Sequence, residues 1–232
     1  DLKTTTSDFF FLRRRAEEAV AATIGDLCRT RLPDRMGIPP EEIQVLSPTR
    51  KGPTGTASLN LLLQAQLNPP SPEKKEKKWG DFSFREGDRV MQIRNNYDIL
   101  WKKTDGTQVG TGIFNGDIGI ITEIDLNAEL LTVVFDDRQA EYDFDMLREL
   151  ELAYAMTVHK SQGSEYQAVV LAAWSCAPNL RTRSVLYTAI TRARKLLVVV
   201  GREDILQAMT ENHRRSRRYS GLKLRLQQED RE

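Results

Sequence analysis

The chain has two cysteines, two histidines and no apolar run approaching the roughly 18 residues of a membrane span. Cys28 and Cys176 lie too far apart to suggest a disulfide framework or a zinc site, so both are expected to be reduced core residues. The stretch DLKTTTSDFFFLRRR carries its charge after the apolar cluster, the reverse of a secretion signal. No membrane is expected among the partners, and the expected location is cytoplasmic. A net charge of +1 excludes a general polyanion sponge. The local basic runs, RRR at 13–15, KKEKK at 74–78 and HRRSRR at 213–218, read equally well as solvated surface.

The most consequential absence is G-x-x-x-x-G-K-[ST], the loop whose backbone amides and lysine hold nucleotide phosphates. GPTGTAS at 52–58 lacks the Gly-Lys pair and does not substitute for it. Neither DDR at 136–138 nor ED at 229–230 follows a buried strand, so neither fits a magnesium-holding acid. His159 has no serine or cysteine nucleophile in a recognisable pattern beside it, which argues against general-base catalysis.

What is present suffices for a sizeable core, with 40% hydrophobic residues in 232. Composition predicts a helix from Asp8 to about Leu32, with Phe11, Ala19, Ala22 and Leu27 as its buried stripe and Pro33 stopping it. EIQVL at 42–46 reads as a short strand that runs into the polar turn SPTRKGPTG and a helix around Ser58 to Leu67. NPPSPEKKEKKWG breaks regular structure and marks a boundary. Residues 80–149 change character, with short alternating β-rich runs separated by Asn-Gly, Asp-Gly and Asn-Ala turns, the pattern of a small barrel or meander. Beyond them LELAYAM, QAVVLAAW and KLLVVVG read as strands, and RTRSVLYTAITRAR and REDILQAMTENHRR as helices. Such alternation predicts a parallel α/β sheet. The strand at 42–46 finds its neighbours only after residue 150, so 1–79 and 150–232 are expected to form one α/β domain with 80–149 inserted.

Open α/β sheets hold ligands at the carboxyl ends of their strands, so Ser47 to Gly55, Thr157 to Glu165 and the helix end at Arg192 are expected to converge on one rim. SPTRKGPTG, TVHKSQGSEY and YTAITRARKLLVVVG, in this order and separation, resemble motifs IV, V and VI of superfamily 1 nucleic-acid helicases. The nearest branch is the RecD-like one, which includes exodeoxyribonuclease V alpha subunits and RecD-TraA proteins. The resemblance covers nearly the whole chain. It implies the second RecA-like motor domain of a P-loop NTPase fold, without a P-loop of its own, carrying an inserted SH3-like β-barrel. It also implies an ATP-dependent DNA helicase that moves 5′ to 3′ on single-stranded DNA and unwinds duplex, with ATP and Mg2+ bound mainly by an N-terminal motor domain.

Residue by residue, the resemblance implies that Arg192 and Arg50 reach across a cleft to the γ-phosphate of ATP. A guanidinium suits this, being always charged and presenting a planar fork of donors. Gln162, Gly163 and Glu165 match nucleotide-side positions of motif V, where glycine lets the loop approach a ligand and a carboxylate can accept from a ribose hydroxyl or water. Thr157, His159, Lys160 and Ser161 match positions that contact a single-stranded backbone, where hydroxyl and cationic donors hold phosphate without reading sequence. In the barrel, Trp101 beside Lys102 and Lys103, with Arg89 and Arg94, is a candidate for stacking a base, though an aromatic in a small barrel is more often core. The implied partners are single-stranded DNA, duplex junctions, the N-terminal motor domain and nuclease subunits. Two rival readings are a non-catalytic DNA-binding module and the helicase portion of a conjugative relaxase.

Overall fold

The computed structural model describes residues 7–212, which places HRRSRR outside the described residues. The chain opens with a strand where a helix was expected. β1 (Phe9–Arg13) pairs in parallel with residues 197–201, and alternation shows in its side chains, Phe10 being 6% exposed and Phe9 46%. Helix α1 (Glu17–Asp26) comes next, with Glu17 and Glu18 in its first turn, where the helix dipole favours acids. Its fully buried residues are Val20 and Ile24, continued by Leu27, in place of the expected Ala19 and Ala22 stripe.

Pro33 does not stop the helix. A proline lacks the amide hydrogen and its ring crowds the carbonyl four residues back. A widened π turn at Leu27–Arg31 relieves that conflict, and α2 (Leu32–Met36) carries on. The stop falls at Gly37, which takes φ 63° and donates its N–H to the Pro33 carbonyl at 3.1 Å.

After β2 (Ile43–Ser47), buried throughout, comes α3 (Thr56–Leu67), packed through Leu59 and Leu63. The lysine-rich boundary is more ordered than its composition suggests. β3 (Glu76–Trp79) and β4 (Phe82–Arg85) form a two-stranded hairpin, and the Lys77 ammonium lies 3.9 Å from the Phe144 ring centroid. Next come β5 (Arg89–Gln92), β6 (Asn96–Lys103), β7 (Val109–Ile113), β8 (Ile118–Asp125), β9 (Leu130–Phe135) and β10 (Arg138–Asp143). A 3-10 turn at Phe144–Glu149 leads into β11 (Leu150–Leu152). These seven strands form one antiparallel sheet in the order β11-β5-β8-β9-β10-β6-β7. Trp101 belongs to its packing: a Cβ on Gly110 would lie 2.4 Å from the indole, and the ring packs against the core cluster.

The run LELAYAM is two strands, not one. Leu150–Leu152 pairs with β5 in the antiparallel sheet, and β12 (Ala155–Thr157) pairs with β2 in the other. β13 (Tyr166–Ala173), α4 (Arg183–Ile190), β14 (Ala193–Gly201) and α5 (Glu203–Glu211) complete the chain. The helix read from RTRSVLYTAITRAR ends early, because Ala193 and Arg194 already belong to β14.

The second sheet is wholly parallel, in the order β1-β14-β13-β2-β12. Its period of two sorts the faces. Ala168, Val170, Ala172, Leu196, Val198 and Val200 join a core with Val20, Ile24, Leu59 and Leu63 of α1 and α3. Val169, Leu171, Leu197 and Val199 join another with Val185, Leu186, Ile205 and Met209 of α4 and α5. The first core runs on without a break into the interior of the antiparallel sheet, through Phe84, Ile121, Val133 and Tyr142.

A buried carboxylate stands at that junction. Asp88, fully buried, accepts from the Gln64 amide at 2.5 Å, the Asn68 amide at 2.7 Å, the Arg85 backbone N–H at 2.7 Å and the Tyr154 hydroxyl at 2.9 Å. Burial pushes its carboxyl above the ordinary range, against the pull of these four donors. The contacts join α3, the β4–β5 turn and the residue entering β12. Cys28 and Cys176 are free and buried, and burial pushes the Cys28 thiol to about 12. Among the described residues no helix is long and apolar enough to cross a membrane.

Candidate nucleic-acid and nucleotide interface

The turn after β2 is built to be tight. A Cβ on Gly55 would lie 2.4 Å from the Lys51 carbonyl oxygen, so only glycine fits where the chain folds back into α3. The Ser47 hydroxyl donates to the Thr54 carbonyl at 2.8 Å, and Glu17 Oε1 accepts from the Thr54 hydroxyl at 2.9 Å. Arg50 sits on this turn with an exposed side chain, and its Nη2 pairs with Glu151 Oε1 at 2.8 Å.

The segment 158–165 leaves the carboxyl end of β12 and arrives at the amino end of β13. It closes on itself in successive turns, Lys160 N–H to the Thr157 carbonyl at 3.0 Å and Ser164 N–H to the Ser161 carbonyl at 3.2 Å. Gly163 has φ 88°, a left-handed conformation, with nothing within 4 Å of where a Cβ would stand. His159, Gln162, Gly163 and Glu165 are exposed, and Thr157 is half-buried. Ser161 is fully buried and donates to the Val158 carbonyl at 2.8 Å, holding the turn from inside. Lys160 reaches Glu151 Oε2 at 2.9 Å.

Arg192 is half-buried at the other end of this segment. Nη1 donates to the Ser164 carbonyl at 2.8 Å, Nε to the Thr188 carbonyl at 3.3 Å and Nη2 to the Thr191 hydroxyl at 3.2 Å. Among the described residues these bonds leave one N–H on each terminal nitrogen for a ligand. Glu165, two residues from Gly163, accepts from Arg194 Nε at 2.9 Å.

Two groups result, where one rim was expected. Arg50, Thr157 and Lys160 gather beyond the carboxyl ends of β2 and β12. Arg192 stands with Gly163, Ser164 and Glu165 at the amino ends of β14 and β13, since Tyr166 lies opposite Ala193. The carboxyl-edge rule governs loops that leave a strand, and Arg192 instead precedes one. The segment 158–165 links the groups. Sequence reasoning missed Glu151, whose only signal is an acid alternating with buried Leu150 and Leu152. Burial would raise the Glu151 carboxyl, but donors from Lys160 and Arg50 outweigh it and hold the group below its ordinary value.

Residues 59–135 match the ATP-dependent RecD-like DNA helicase SH3 domain, and residues 152–200 match the UvrD-like helicase C-terminal domain. Over 178 residues the chain is 34% identical to the ATP-dependent RecD2 DNA helicase of Deinococcus radiodurans, covering 77% of this chain and 22% of that protein. Over 189 residues it is 32% identical to the RecBCD enzyme subunit RecD of Mycobacterium tuberculosis, covering 81% and 29%. The Pif1 helicase of Candida albicans superposes with a TM-score of 0.48 at 16% identity, covering 91% of this chain and 54% of that one. The chain thus spans between a fifth and a third of the length of these curated relatives.

Proposed function

We propose that this chain, which matches the SH3 domain of RecD-like DNA helicases over 59–135 and a UvrD-like helicase C-terminal domain over 152–200, is the second motor portion of an ATP-dependent DNA helicase. In this reading 1–79 and 153–232 form the RecA-like domain and 80–152 the inserted barrel, three residues beyond the expected boundary because β11 pairs with β5. ATP lies between this portion and an N-terminal motor domain that supplies the phosphate loop. The protein is cytoplasmic and moves toward the 3′ end of single-stranded DNA up to duplex junctions, alone or with nuclease subunits.

The observation that carries this reading is the setting of Arg192. Its guanidinium is fixed against Ser164, between Gly163 and Glu165, with donors to spare. Closing the cleft brings that fork onto the γ-phosphate, where negative charge develops during phosphoryl transfer; Arg50, expected beside it, stands instead with Lys160 at the carboxyl edge. Gln162, Gly163 and Glu165 line the nucleotide side. Thr157, His159 and Lys160 hold the strand's phosphates, while Ser161, turned inward, supports that loop from beneath. Reopening after hydrolysis lets the loop advance along the strand.

The Arg192 guanidinium, with one N–H left on each terminal nitrogen, fits the phosphates of a nucleotide. Magnesium, which neutralises charge on those phosphates when bound, requires carboxylate ligands. We assign those ligands to the N-terminal motor domain that supplies the phosphate loop.

The 232-residue chain by itself is expected to bind single strands of different sequence with similar affinity, weakening as salt rises, and to show no DNA-stimulated ATP hydrolysis. Fluorescence anisotropy with labelled oligonucleotides and a phosphate-release assay measure these. Turnover by the purified chain, or a strong preference for one base sequence, would refute the reading.

A further inference from the structure

One carboxylate holds both cations at the carboxyl edge. Glu151 is on β11, the last strand of the antiparallel sheet, while Arg50 and Lys160 belong to loops of the parallel one. Each oxygen takes one cation, Oε1 from Arg50 Nη2 at 2.8 Å and Oε2 from Lys160 Nζ at 2.9 Å. Two cationic donors converging on two anionic oxygens is also the arrangement that a backbone phosphate needs. Relative exposures of 62% for Arg50, 36% for Glu151 and 27% for Lys160 leave the cluster open to such a ligand.

Building on the proposed DNA-binding role of Lys160, we propose that Glu151 is a positioning residue standing in the place of a strand phosphate, holding Arg50 and Lys160 ready in the DNA-free chain and displaced when single-stranded DNA binds. An arriving phosphate brings a second negative charge to the same donors, and the carboxylate is repelled from both.

The test is anisotropy of a labelled oligothymidine with the 232-residue chain. Glu151→Gln and Glu151→Ala remove the competing charge and are expected to tighten binding about two- to five-fold, the range set by an ion pair this exposed. Lys160→Gln is expected to weaken binding, and in its background the gain from Glu151→Gln should shrink towards none. Melting temperatures of all variants, within about 2 °C of the parent, exclude a folding effect. If Lys160→Gln weakens binding but neither Glu151 variant tightens it, the stand-in role is wrong and the DNA-binding reading survives. If Lys160→Gln leaves binding unchanged, both fall.

Discussion

Under the proposed motor role, Arg192→Ala in a protein that carries this chain together with the proposed phosphate-loop domain is expected to lower DNA-stimulated ATP turnover by about 10³-fold or more. The fall should appear in kcat, with the KM for ATP little changed, because the guanidinium meets charge that develops only as the γ-phosphoryl group leaves. Arg192→Lys should recover little, since an ammonium is a point charge and cannot both hold the Ser164 carbonyl and present a planar fork to the phosphate. Single-strand binding by the chain should persist, because Arg192 stands away from Lys160 at the other end of the segment 158–165. Steady-state kinetics beside anisotropy separate the two. A loss of less than about tenfold in kcat would assign Arg192 to anchoring the loop and remove it from the chemistry.

The second large effect falls on stability. Asp88→Ala is expected to lower the unfolding free energy by about 3–5 kcal/mol, because it strands four donors in a site closed to water. Asp88→Asn should cost less, since it keeps the volume and a turned Gln64 amide can present oxygen to the new nitrogen. Tyr154→Phe should cost only about 0.5–1.5 kcal/mol, as the carboxylate keeps its other three donors. Urea unfolding of the chain measures all three. The contacts tie α3 to both sheets, so a second consequence is expected: Asp88→Ala should split the single transition in two. A loss below about 1 kcal/mol would mean that the apolar core alone holds the sheets together.

Much of this was legible from local pattern. Ile43–Ser47, Tyr166–Ala173 and Ala193–Gly201 announce themselves as apolar runs bounded by polar turns, and the three motif segments succeed one another at the expected separations. Other elements misled for identifiable reasons. Phe9–Arg13 becomes a strand because β14 offers it an edge, a partner no window around residue 9 can contain. Pro33 looks like a terminator because its effect on an ideal helix is local, yet a π turn absorbs it. LELAYAM looks like one strand because nothing in its residues says that Ala153 and Tyr154 lie between two sheets.

Local spacing and residue chemistry therefore determined the kinds of element present, the alternation that sorts two faces of one sheet, and which loops bear cations and glycines. Only the tertiary structure decided which distant segments meet. That choice rests on contacts between residues far apart in the chain, such as Arg50 with Glu151 and Asp88 with Tyr154. Ion pairs and buried hydrogen bonds act over a few ångströms of space whatever the length of chain between the partners, so their pattern appears only once the backbone has closed.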